Sequence, residues 1–511
     1  MKSFDSLLEE YCRKIPQKCR LAFASALVSG LVAHMYMFTN KLPNYDDMAI
    51  RGVGATFRLG RWFLWILGAI SYHLDISYSL PWINGIVSLL LLSASAAIIV
   101  YLLNLKQNVT IVIISGLLVV FPSWTATYFF MFTAPYYALA LLMSVLSVFL
   151  TVRFRKGCIT GVILLACSLG IYQAYLPFAA SLCVTLLIID ILNTSMDIQE
   201  SLKKALKYLC TLAAGVVLYY IIMKLSLIIT HQQLADYKGV SRMGLFSVES
   251  IKSVLRAIVF NCFGAIWNNN IEISYNIVLK AGYLISNLVI LFCVFAKVIR
   301  FVKDKEKLRG IFLLIMLCLF YLAVNSIYIM SPEEDAVYSI MTYSYVFILI
   351  LPLCLLDMIM ADKYVIIEYI CKISGIVMVL TYCRFANAQY LSMDLSLRQA
   401  VSYFTTMITQ IKSTDGYSDE LPVAFAGDNV EDRMLYENDI MDVFDMSGRD
   451  DVLAYVYSRE NMLAYYCGFA PDYVTVDEIN RNETDKMPCY PLEGSIKVVD
   501  GVIVIKLSEE Y

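Results

Sequence analysis

Apolar residues run through the first three quarters of this chain in about eleven long blocks, at 21–39, 82–105, 109–130, 135–152, 159–172, 175–192, 208–229, 277–299, 311–329, 338–356 and 364–383. A helix that crosses a bilayer needs roughly 20 apolar residues, so the pattern predicts a polytopic bundle of transmembrane helices. One place in the count admits two readings. The stretch 159–192 holds either two short helices turning near Tyr172 or one long tilted helix, and the second choice reverses the sidedness of everything after it. Beyond residue 383 the blocks stop and polar and apolar residues mix. Val423 to Ala426 reads as a strand, 432–444 as a helix, and the close as a hairpin: alternating residues on either side of Asp500-Gly501, a two-residue turn signal. The expected organisation is a mainly α membrane bundle over 1–383 and a small α/β domain over 384–511.

Composition supports the membrane assignment. The chain is 59% hydrophobic and 16% charged, against roughly 45–50% and 25% for soluble domains, with mean hydropathy +0.67. Forty basic and 43 acidic residues leave a net charge of −3, which offers nucleic acid no basic surface. Most of the 14 cysteines lie in apolar blocks, where a thiol acts as a small hydrophobe. Cys467 and Cys489 fall in polar sequence, either as two thiols or as one bridge. The three histidines are scattered, so no metal site is expected from them.

Basic residues set the expected orientation. Lys2, Arg13, Lys14, Lys18 and Arg20 precede the first block and hold that end in the cytoplasm by the positive-inside rule. With eleven spans, the clusters Arg153/Arg155/Lys156, Lys203/Lys204/Lys207 and Arg300 to Arg309 also face the cytoplasm. The tail then lies outside the cell membrane.

The first outward loop, 40–78, is too long and too charged for a bare turn. It carries Asp46 and Asp47, then Arg51, Arg58 and Arg61, which on a helix share roughly one face. Adjacent carboxylates can take a proton from an attacking hydroxyl while arginines bind a departing oxyanion in bidentate fashion, the needs of group transfer. The same residues also suit an interfacial helix, with Asn44 or Asp46 as its cap and the arginines snorkelling to headgroups. Further candidates are Tyr172 and Gln173 inside an apolar helix pair, where a buried amide must find partners. Trp267 and Glu272 in a second outward loop suit sugar contact, although Trp267 equally suits an interfacial anchor.

Two segments carry a resemblance to a known family. Asn44-Tyr45-Asp46-Asp47 with Arg51 and Gly60-Arg61-Trp62, and later Ser168-Leu169-Gly170-Ile171-Tyr172-Gln173-Ala174-Tyr175, resemble the GtrII-type membrane glucosyltransferases, part of the wider GT-C class. The resemblance implies a GT-C-like bundle that transfers a hexose from a polyprenyl-phosphate donor to a glycan acceptor on the outer face, with inversion. It makes Asp46 or Asp47 the general base; from the chemistry of the side chains, Arg51, Arg58 and Arg61 are the candidates for the donor phosphate, and Tyr172, Gln173, Trp267 and Glu272 for sugar or acceptor contact. The expected partners are this donor, the glycan and the bilayer, with no nucleic acid. No cofactor is implied, and a divalent metal stays open. A flippase of lipid-linked sugars is the alternative, disfavoured because the ionisable residues gather at helix ends and not at the bilayer midplane.

Overall fold

The structure, a computed structural model, describes residues 14–52, 54, 57–192, 198–235, 248–262, 276–331, 337–359, 364–427, 446, 456–476, 479 and 481–509. Trp267 and Glu272 lie outside the described residues, as do the helix expected over 432–444 and Glu333, Glu334 and Asp335, an acidic run that the sequence offers as a solvated loop end. The chain divides into two compact units. One comprises 1–40 and 52–387, the other 41–51 and 388–511.

The first unit is helical. Its principal helices are α1 (Gln17–Thr39), α2 (Trp62–His73), α3 (Pro81–Leu103), α4 (Asn108–Val120), α5 (Pro122–Phe129), α6 (Ala134–Arg153), α7 (Gly157–Ile171) and α8 (Tyr175–Leu192). They continue as α9 (Ile198–Ile229), α10 (Val248–Cys262), α11 (Ile277–Lys303), α12 (Lys307–Val324), α13 (Val346–Ile359) and α14 (Val365–Lys412), the last running on into the second unit. Among the described residues nine helices are long and apolar enough to cross a membrane, which makes this a multi-pass membrane protein. The other two expected spans correspond to shorter apolar helices, Gly157–Ile171 and Tyr343–Met358. The stretch 159–192 is two helices, α7 and α8, with Tyr172 leaving α7 in an extended conformation.

Proline sets several of these boundaries. Pro122 has no N–H to give the preceding turn, and Phe121 before it is pushed to φ −58°, ψ 140°, so one apolar run becomes α4 and α5. Helix α2 is too short to span a bilayer. It exposes Trp65, Ile66, Ile70 and Tyr72, as an interfacial helix does.

Charged side chains cluster at one end of this unit. Lys18 donates to the Leu105 carbonyl at 2.6 Å, Lys204 pairs with Asp190 at 2.8 Å, and Arg309 Nε donates to the Ile191 carbonyl at 3.0 Å. Lys207 donates to the carbonyls of Thr151 and Phe154. Asp357 accepts from the backbone N–H groups of Lys106 at 2.6 Å and Gln107 at 2.9 Å, so a carboxylate from another helix sits at the start of α4, where the helix dipole favours it.

The second unit has a three-stranded sheet of β1 (Val423–Ala426), β2 (Ile496–Val499) and β3 (Val502–Lys506) in the order β1-β3-β2. Strands β2 and β3 form the expected hairpin, with Val499 opposite Val502. Asp500 at φ 49° and Gly501 at φ 79° give the left-handed pair a tight two-residue turn requires. Strand β1 pairs with β3 in parallel. Ala400, Phe404, Met407 and Ile411 of α14 pack with Val423, Ile503 and Ile505 of the sheet and with Met462 and Leu463 of α15 (Val456–Cys467). Met48, from the first loop, is fully buried in the same core, which is why 41–51 belongs to this unit. Neither Cys467 nor Cys489 is in a disulfide.

Candidate active site

The first loop does not form the helix on which its arginines share a face. Residues 45–49 make a turn, a short 3₁₀ turn covers Phe57–Leu59, and α2 begins only at Trp62. Gly54 at φ 63° and Gly60 at φ 72° interrupt any continuous helix. Arg51 therefore falls in the second unit with Asp46 and Asp47, whereas Arg58 and Arg61 belong to the first.

Asn44 organises the carboxylate turn. Its buried side-chain oxygen accepts from the backbone N–H of Asp46 at 3.1 Å and of Asp47 at 3.0 Å, a local bond that asparagine makes readily. The two aspartates then diverge. Asp46 is exposed, while Asp47 is 2% exposed and accepts from Lys41 Nζ at 2.6 Å. Burial pulls the Lys41 ammonium below the usual lysine range, and the charge and hydrogen bond of Asp47 pull it back up. Ile50, three residues on, has φ 60°, a conformation a β-branched residue adopts only when its surroundings impose it.

In the first unit, the segments Gly60-Arg61-Trp62 and Gly170 to Gln173 are in direct contact. Tyr172 closes α7, and its ring stacks on that of Tyr137 at 4.3 Å with 14° between the planes. The Arg61 guanidinium lies over both rings, 5.6 Å from the Tyr172 centroid and 5.9 Å from that of Tyr137. Cation–π attraction holds it there without neutralising its charge. Arg61 Nε is buried and has no hydrogen-bond partner among the described residues, and the same is true of Trp62 Nε1. Gln173 Nε2 donates to the Leu59 carbonyl at 2.8 Å and to Tyr219 Oη at 3.0 Å, so the amide ties the loop to α9.

Glycine is required at two positions here. A Cβ on Gly60 would lie 2.5 Å from Tyr219 Oη and 3.0 Å from Gln173 Nε2, and one on Gly170 would lie 2.6 Å from the Trp62 ring. Arg61 occupies the N-cap position of α2, whose first N–H groups receive no side-chain bond. A helix N-terminus with an adjacent guanidinium is suited to an anion such as phosphate.

Among the expected site residues, Arg61, Tyr172 and Gln173 come together, and Asp46 and Asp47 form one turn. The Arg58 side chain is exposed, and its carbonyl accepts from Ala235 N at 2.8 Å. Sequence reasoning missed Tyr137, Tyr219 and Lys41. Tyr137 had a signal in the Pro135-Tyr136-Tyr137 helix entry, and Lys41 in its place just before the acidic pair; Tyr219 looked like any apolar-helix tyrosine. Among the described residues no group of His, Cys, Asp or Glu could hold a metal ion.

The model of the family described as glucosyl transferase GtrII matches residues 35–356. This chain belongs to the GtrII glucosyl transferase family. The matched range takes in both loop segments described above and ends before 388–511, so the family likeness rests on the helical part and the first loop. No curated protein and no solved structure matches the chain. Membership in the GtrII family makes the chain a glycosyltransferase of the membrane.

Proposed function

We propose that this GtrII family member is a GT-C-type enzyme that transfers a hexose from a polyprenyl-phosphate donor to a cell-envelope glycan at the outer face, inverting the anomeric centre. The observation that carries the reading is the setting of Arg61. A guanidinium wedged against two stacked tyrosines, at an uncapped helix N-terminus and with its Nε unpartnered, is a cation prepared for an anionic group.

The reaction assigns a task to each group. A carboxylate of the Asp46/Asp47 pair takes the proton of the acceptor hydroxyl as its oxygen bonds to the anomeric carbon. The bond from that carbon to the phosphate oxygen breaks, and polyprenyl phosphate leaves with the electron pair. Arg61 takes up the charge developing on that phosphate. Asp46 is the better base because it is exposed to an incoming hydroxyl, whereas Asp47 is committed to Lys41. Arg51 and Arg58 serve as outer cations for the donor. Gln173 and Tyr172 hold Arg61 in place and line the sugar site, with Trp267 and Glu272 as further sugar contacts.

Orientation follows from charge. The gathering of Lys18, Lys204, Lys207 and Arg309 at one end of the first unit supports a cytoplasmic end there, and the proposal accordingly has the N-terminus inside, eleven spans and the tail outside. Membranes holding the wild-type chain should move labelled hexose from polyprenyl-phosphate-hexose to envelope glycan, and Asp46→Asn should abolish this at equal protein level. Undiminished transfer by Asp46→Asn and by Asp47→Asn alike would remove the carboxylates from the mechanism.

A further inference from the structure

Helix α9 carries a cation where its sequence is otherwise apolar. Tyr219, Met223 and Leu227 form its buried stripe over this stretch, while Ile221, Leu225 and Ile228 are exposed. Lys224 stands on the exposed side with them. Its ammonium lies 5.5 Å from the centroid of the half-exposed Tyr220 ring, one turn back, and has no hydrogen bond or ion pair among the described residues. The ring holds the ammonium without neutralising it. A lysine on the lipid face of an apolar helix is costly unless it reaches a polar partner, so a partner has to be named for it.

Helix geometry gives its depth. Lys207 donates to carbonyls at the end of α6, where the basic residues gather. Lys224 follows 17 residues later, about 25 Å along the axis at 1.5 Å per residue. That is close to the opposite edge of a hydrocarbon layer about 30 Å thick, from which a lysine stem reaches the phosphate level. The same turn of α9 packs against the Gly-Arg step: a Cβ on Gly60 would lie 2.5 Å from Tyr219 Oη and 3.1 Å from Met223 Sδ, and Tyr219 Oη accepts from Gln173. Arg61 and Lys224 are therefore at similar depth. Met223 faces Gly60, and Lys224, the next residue, is turned about 100° from it, to the exposed side.

Building on the proposed function, we infer that Lys224, steadied by Tyr220, is a lipid-side cation for the polyprenyl phosphate, at the rim of the site whose inner cation is Arg61. The ligand chemistry is a phosphate ester carried on a lipid. The donor is a phosphodiester with a single negative charge, whereas the departing polyprenyl phosphate is a monoester with about −1.5 to −2 at neutral pH. Charge grows on this phosphate during transfer, so a second cation is matched to the leaving lipid.

The test uses the full chain in a neutral detergent, with polyprenyl monophosphate as the probe and phosphatidylglycerol as the comparison lipid. The probe should raise the thermal midpoint of the wild-type chain by mass action. The concentration giving half of that rise should be about tenfold higher for Lys224→Gln and for Lys224→Met, the scale of one hydrogen bond to a charged group. Lys224→Arg keeps the charge and should bind as the wild type does, and phosphatidylglycerol should give no comparable rise. Equal half-points for the wild type and both neutral variants overturn the inference, and so does a Lys224→Arg half-point as weak as theirs. A rise with phosphatidylglycerol that depends on Lys224 in the same proportion also overturns it, because the lysine then meets any anionic headgroup. Lys224→Met suits a lipid-facing position, so the comparison holds even where Lys224→Gln folds poorly. Binding is read without turnover: if the wild-type chain moves no hexose from any polyprenyl-phosphate donor yet binds the probe through Lys224, the proposed function falls and the phosphate site stands.

Discussion

Gly60→Ala isolates the junction between the first loop and the tyrosine–glutamine segment. The backbone at Gly60 has φ 72°, which costs an alanine about 1–2 kcal/mol. The new Cβ would also meet Tyr219 Oη at 2.5 Å and Gln173 Nε2 at 3.0 Å. If the neighbours hold, overpacking adds about 1–3 kcal/mol. If the Gln173 amide gives way instead, its bonds to Leu59 O and Tyr219 Oη are lost at about 1 kcal/mol each. Either route totals about 2–5 kcal/mol. Gly468→Ala supplies the comparison, since Gly468 has φ 66° and nothing within 4 Å of its Cβ position; it should show the backbone cost alone. The contact part is separated by a double-mutant cycle with Tyr219→Phe, which removes the nearest atom. In that background Gly60→Ala should cost about 1–2 kcal/mol less. Stability by denaturant unfolding in detergent, alongside hexose transfer, reads all four corners of the cycle. Strict additivity, or a Gly60→Ala protein as stable as Gly468→Ala, would refute the proposed packing of the loop against α9.

Arg61→Lys replaces a planar fork by a point charge, and the donor KM should rise about tenfold or more; an unchanged KM counts against Arg61 as the phosphate ligand. Lys41→Met leaves the Asp47 carboxylate buried without its cation, which should destabilise by about 3–5 kcal/mol, whereas Lys41→Met with Asp47→Leu should recover most of that loss in denaturant unfolding; equal costs for the two would refute a buried pair. Asp500→Cys, at the exposed hairpin turn, should react with a membrane-impermeant maleimide on intact cells, with the unmodified chain as background. Labelling only after lysis would reverse the proposed sidedness.

The second unit shows how local and non-local information divide. The Asp500-Gly501 turn was legible because a two-residue turn with both residues at positive φ admits few sequences, and the flanking alternation fixes the register. Strand Val423–Ala426 was visible as a short apolar run before Gly427. Helix α15 was not anticipated: Val456–Cys467 mixes polar and apolar residues with little segregation, and its place is set by the core it joins. The apparent helical spacing of Arg51, Arg58 and Arg61 misled because spacing carries meaning only if the backbone between is helical, and the glycines there take left-handed φ values.

What the sequence determined by itself was whatever one residue and its near neighbours decide: membrane residence from continuous apolar length and the hairpin, whereas the break at Tyr172 stayed one of two readings until the structure showed two helices. The sequence also carried the family, because the aspartate pair, the Gly-Arg step and the Tyr-Gln segment are contiguous words. The tertiary structure alone decided that Arg61 rests on Tyr137 and Tyr172, that Gln173 bonds the Leu59 carbonyl, and that the aspartate turn belongs with a core built from residues 400–507. These are associations across 76 to more than 350 positions of chain. Periodicity is a property of one element, whereas the partner of a buried arginine, amide or methionine is fixed by which elements pack together.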